Sequence, residues 1–85
     1  MGLFSWLFGN RVVVGGDGSS AAQAVVVGSV SEEYAWVQKN CPGFQLQMQS
    51  LQNIDGKPYD VLALKNDQGE ERNVYFDISQ FFGKF

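Results

Sequence analysis

Two turn signals separate three stretches of alternating polarity, and they constrain this chain more than any other feature. Phe44, Leu46 and Met48 alternate with Gln45, Gln47 and Gln49 before the pair Asp55-Gly56. A second apolar stretch ends at Asp67-Gln68-Gly69, and beyond it Val74, Phe76 and Ile78 alternate with polar or aromatic neighbours. Period-two alternation marks a strand with one face buried. An Asp-Gly pair favours the two-residue hairpin turn whose twist matches its flanking strands. The pattern predicts a three-stranded antiparallel meander over residues 44–53, 58–66 and 70–78.

Register converts the strands into faces. Pairing Ile54 with Lys57 sets Ser50 opposite Val61 and Met48 opposite Ala63. Pairing Lys65 with Glu70 sets Val61 opposite Val74 and Tyr59 opposite Phe76. One face then carries Phe44, Leu46, Met48, Tyr59, Val61, Ala63, Val74, Phe76 and Ile78. The other carries Gln45, Gln47, Gln49, Leu51, Leu62, Leu64, Asn73 and Tyr75, and is expected to stay free. A slip of one residue would exchange the two faces.

The element expected to cover the first face lies upstream. Val30, Tyr34, Val37 and Cys41 recur at helical spacing, Ser29 or Ser31 can cap the start, and Pro42-Gly43 ends it. The spacing predicts a helix over 31–41 with those four residues inward and the pair Glu32-Glu33 solvated. Val25-Val26-Val27 predicts a short extra strand at 24–28 on a sheet edge. Asp77 or Ser79 could cap a last helical turn closed by Gly83. The expected fold class is α+β: a meander, one packed helix, a short edge strand and a C-terminal turn.

The chain has 85 residues, enough for one domain. Residues 1–23 read as an apolar arm and a Gly/Ser-rich linker, and residues 24–85 as the α+β domain. Net charge is −3 and the six basic residues are scattered, so the basic stripe of a nucleic-acid binder is missing. One cysteine allows no internal disulfide and no multi-thiolate metal site. Histidine is absent, which removes the commonest general base and metal ligand at neutral pH. No cofactor, metal or catalytic residue is expected, and the chain reads as non-enzymatic.

Four smaller motifs have plain structural readings. Gly16-Asp17-Gly18-Ser19-Ser20-Ala21 matches G-x-G-x-x-A, but too few helical residues follow for a dinucleotide fold, so nucleotide binding is a weak third reading beside a flexible linker. Asp60 and Asp77 fall on neighbouring strands, where paired carboxylates can act as acid and base, yet no insertion builds a pocket around them. Cys41 sits at the wrong end of the helix dipole for a reactive thiolate and reads as a core thiol. Trp36 reads as rim packing beside the helix stripe.

The blocks Glu33-Tyr34-Ala35-Trp36-Val37, Cys41-Pro42-Gly43-Phe44, Tyr59-Asp60-Val61-Leu62 and Val74 to Lys84 resemble a family of short uncharacterised bacterial proteins. The resemblance covers roughly residues 24–85 and implies a bacterial source without implying an activity.

Two surfaces remain as candidates. The arm residues Leu3, Phe4, Trp6, Leu7 and Phe8 form an apolar cluster too short to span a bilayer. They fit a protein partner, self-association or a membrane surface. At the other end, Phe81 and Phe82 are expected to cap the core. The second surface is the amide-rich sheet face of Gln45, Gln47, Gln49, Leu62, Leu64 and Tyr75. The leading expectation is a small protein-interaction module, cytoplasmic by default. The alternative is a peripheral membrane protein held at the inner membrane by the arm.

Overall fold

A computed structural model of the chain describes residues 16–83. The arm Leu3–Phe8, the Val-rich run at 12–14 and Phe85 lie outside the described residues. The element order is β1 (Val25–Val26), α1 (Val30–Asn40), β2 (Gln45–Ile54), β3 (Lys57–Lys65) and β4 (Glu71–Asp77), with a single 3-10 turn at Ala21–Gln23. The class is α+β. The sheet has four strands in the order β1-β4-β3-β2 and is mixed, because β1 runs parallel to β4 while the other pairs are antiparallel. It is therefore not the three-stranded meander predicted from the turns.

The β2–β3 hairpin is set by its turn. Asp55 and Gly56 both take positive φ, 52° and 80°, as a tight primed turn requires. Ile54 then pairs Lys57, Ser50 pairs Val61 and Met48 pairs Ala63, in the predicted register. At the far end a bulge at Gln47 lets Leu46 pair Leu64.

The second hairpin departs from expectation by one residue. Lys65 pairs Glu71, so Leu62 faces Val74 and Asp60 faces Phe76. The cause lies in the loop. Asn66 Oδ1 accepts from the N–H groups of both Gln68 and Glu70, and the Asn66 and Glu70 backbones also bond. Gly69, at φ 80°, makes the left-handed step that closes a three-residue loop. The loop thus holds one residue more between Lys65 and its partner than predicted, which shifts β4 along β3. Leu62 and Leu64 therefore join Val74 and Phe76 on one face, and Tyr59 and Val61 move to the other.

That first face is the core beneath α1. Leu62, Leu64, Val74, Phe76 and Ile78 are buried there with Val25, Val27 and Cys41, and Trp36, Val37, Phe44 and Phe81 pack against them. Trp36 meets Phe76 edge-on, with ring centroids 5.7 Å apart and planes at 89°. Ser29 caps the helix by accepting from Glu32 N–H, and Glu32 Oε1 in turn accepts from Gly28 N–H. The helix is rotated from the predicted stripe. Val30 and Tyr34 are exposed, whereas Glu33, expected in solvent, is fully buried. Cys41 is a buried free thiol at the helix C-cap.

The opposite face carries a smaller cluster of Ala24, Tyr59 and Val61, with Ala21, Ile54 and Tyr75 against it. The segment expected to be a flexible linker supplies part of this cover. Gly16 N–H donates to Ala24 O, Gly18 N–H to Gln23 O, and Tyr75 N–H to Gly18 O, which fastens residues 16–24 to β4. Beyond β4, Phe81 and Phe82 N–H both reach Ile78 O in a turn, and Phe81 packs on the core. Phe82 does not share its expected capping role, being 44% exposed.

Candidate functional site

An α-helix is about 10 Å across with its side chains, and four strands spaced about 4.8 Å apart make a wider sheet. One helix seated over β3 and β4 therefore leaves β2 outside its cover. β3 is buried at five of its nine positions, but β2 is exposed at eight of its ten positions and half-buried at the other two. Leu46, Met48 and Leu51 are 41%, 66% and 59% exposed. Leu46 and Met48 had been expected inside; the offset helix leaves Leu46 uncovered, and Met48 lies on the face away from the helix. Among the described residues nothing pairs with the outer edge of β2.

The strand's sequence makes this edge unusual. Gln45–Ile54 contains no charged residue and no proline, the two devices that most often protect an open sheet edge. Its one irregularity is the bulge at Gln47, which leaves Met48–Ile54 as an unbroken stretch of ladder.

A polar chain ties β2 to the helix. Tyr34 Oη donates to Gln49 Oε1 at 3.1 Å, and Gln49 Nε2 donates to Asp60 Oδ2 at 2.7 Å. Asp60 stands beside Glu33, whose two carboxyl oxygens are buried without a hydrogen-bond donor. Burial, and then the neighbouring Asp60 carboxyl, push Glu33 from 4.5 up to about 8. A neutral Glu33 can give its own proton to Asp60, which accounts for the missing donor. The acid pair is thus Glu33 and Asp60 rather than Asp60 and Asp77. Asp77 pairs Tyr59 on the other face, where it accepts from Ser79 N and Oγ and forms an ion pair with Lys57 at 3.0 Å.

Two open hollows mark the surface. A groove of about 460 Å³ runs between β1 and α1, past Val26, Trp36 and Lys39. A shallower depression of about 260 Å³ lies by the bulge, past Gln47, Met48 and Asn73. Neither is lined by Glu33 or Asp60. Among the described residues no three His, Cys, Asp or Glu side chains group as metal ligands.

The amide-rich face expected from the sequence is split by the register shift. Gln45 and Gln47 are exposed, and Gln49 is exposed but engaged with Tyr34 and Asp60. Leu62 and Leu64 are 0% and 2% exposed beneath the helix, so they offer no surface. Tyr75 is half-buried on the opposite face. The arm residues Leu3, Phe4, Trp6, Leu7 and Phe8 lie outside the described residues. The glycine loop has spent the N–H groups a phosphate would need: those of Gly16, Gly18 and Ser19 bond Ala24 O, Gln23 O and Asp17 Oδ1. Only a three-residue 3-10 turn follows it. No helix among the described residues is long and apolar enough to cross a membrane.

Fold and exposed strand together define a small α+β protein with a mixed sheet and, among the described residues, one long open edge. The chain belongs to the family described as a domain of unknown function (DUF4919), which matches residues 7–84. No curated protein and no solved structure matches it. The family match begins upstream of the boundary expected at residue 24 and takes in the segment 16–23 that packs on β4.

Proposed function

We propose that this chain is a non-enzymatic protein-interaction module whose contact element is the outer edge of β2. The carrying observation is that edge: ten residues, uncharged, with large apolar side chains exposed on both faces. An extended segment added to such an edge gains backbone hydrogen bonds along its length, and the alternate side chains supply specificity. The neighbouring Gln49 is held in place by Tyr34 and Asp60, so the strand is pre-organised and little ordering cost falls on binding. The non-enzymatic reading is supported by the placement of Glu33 and Asp60 away from both hollows.

The test is site-specific photocrosslinking in the full chain, made in cells of its own source. A crosslinking residue replaces Met48 on β2 or Gln38 on α1, both exposed. Adducts from position 48, to another protein or to a second copy, and none from position 38 are expected. Equal adducts from both positions, or none from position 48, would end the reading.

A further inference from the structure

We infer that the occupant of the β2 edge is a second copy of this chain, paired antiparallel through β2 about a two-fold axis; the inference rests on the reading of β2 as the contact element. A two-fold axis normal to the sheet reverses the strand, so two copies meet antiparallel, each edge filling the other. Such an axis sets the residues close to it near their own copies, where a charge would oppose itself. β2 carries no charge, although the chain as a whole is at −3. The charges near it sit in the turn at Asp55 and on β3 and β4, at Lys57, Asp60, Lys65, Glu71, Arg72 and Asp77. A partner chosen by charge would find nothing on β2 to recognise, whereas an identical strand meets no penalty.

The register follows from the faces. Residues of one parity, Met48, Ser50 and Gln52, share the face away from the helix, as their partners Ala63, Val61 and Tyr59 show. Like faces align only when the axis passes through a residue of the strand. With the axis at Ser50, Met48 of one copy stands against Gln52 of the other, and Gln49 against Leu51. The assembly closes at two copies, since each has one long free edge among its described residues. Ten residues a side falls short of the roughly 20–30 of a standard interface, so the dimer is reversible.

Sedimentation equilibrium of the full chain, from about 10 to about 500 µM, reads this directly. A monomer–dimer equilibrium is expected. The double variant M48K/Q52K, which sets lysines opposite one another, should weaken it more than about tenfold while leaving the urea midpoint unchanged. The single M48K variant, with less charge at the seam, should fall between them. A strictly monomeric wild-type chain would overturn the second-copy inference and leave the interaction reading to the photocrosslinking result. A dimer unaffected by M48K/Q52K would overturn the inference by locating the interface off β2. A variant with a lowered urea midpoint would be replaced by M48K for the same comparison.

Discussion

Gln49 Nε2 lies 2.7 Å from Asp60 Oδ2, which makes a side chain of the open strand the hydrogen-bond donor to a carboxyl that is 6% exposed. The same amide accepts from Tyr34 Oη through its oxygen. One glutamine thus joins the edge strand, the central strand and the helix. Replacing it by an apolar residue of similar length removes the donor and leaves a buried acceptor beside Glu33. Gln49→Leu should lower unfolding stability by about 1–3 kcal/mol, measured by urea denaturation at pH 7. Tyr34→Phe should cost less, because the bond it removes is at the surface.

Glu33 gives the fold a pH dependence of definite sign. Its folded-state value, about 8, stands above the ordinary 4.5. Below 4.5 the group is protonated in both states and contributes no slope. Between 4.5 and about 8 the unfolded chain releases the proton that the folded chain holds, so stability falls as pH rises. Glu33→Gln keeps the shape and cannot ionise. The wild-type chain should lose stability from pH 5 to pH 8 and the variant should lose less. The variant is expected to be the more stable at pH 8 by about 1–3 kcal/mol, in urea titrations at several pH values.

Asp77 acts at the acid end. Burial would raise its carboxyl, but the Ser79 side-chain and backbone donors and the Lys57 ammonium outweigh burial and hold it below 3.8. A depressed carboxylate contributes stability above its unfolded value and loses it as pH falls through the folded one. Asp77→Asn should therefore be destabilising by about 1–2 kcal/mol at pH 7. The gap from wild type should narrow steadily below about pH 4, followed by acid titration of circular dichroism.

Two glycines separate conformational freedom from space. Gly18 and Gly43 both have positive φ, 81° and 85°. A Cβ on Gly18 would lie 2.6 Å from Val74 Cγ1, whereas one on Gly43 meets nothing within 4 Å. Gly43→Ala should cost about 1 kcal/mol for the left-handed backbone alone. Gly18→Ala should cost more, because it also drives residues 16–18 off β4; thermal melts of the two variants give the comparison.

Legibility in the sequence followed the reach of each interaction. The β2–β3 register could be read because Asp55-Gly56 fixes it within two residues. The β3–β4 register could not, because it depends on one Asn66 side chain collecting two N–H groups and on Gly69 closing the loop so that β4 pairs one residue later. That single slip moved Leu62 and Leu64 from a supposed binding face into the core. Glu33 looked like one of a solvated acidic pair, and nothing local signals that Asp60, 27 positions later, would face it. Residues 16–23 have the composition of a linker, and only the approach of Gly18 to Tyr75 and Val74 turns them into a packed segment. The glutamines of β2 did mark the strand that matters, although its exposure on the helix side follows from the helix sitting to one side.

The central claim is that the outer edge of β2 is open in a single copy, and amide hydrogen exchange of the dilute full chain tests it residue by residue. Every second N–H along Met48–Ile54 points to β3 and should be protected, while those between should exchange quickly and become protected as concentration rises. Uniform protection of the whole strand in the dilute chain, independent of concentration, would contradict the account.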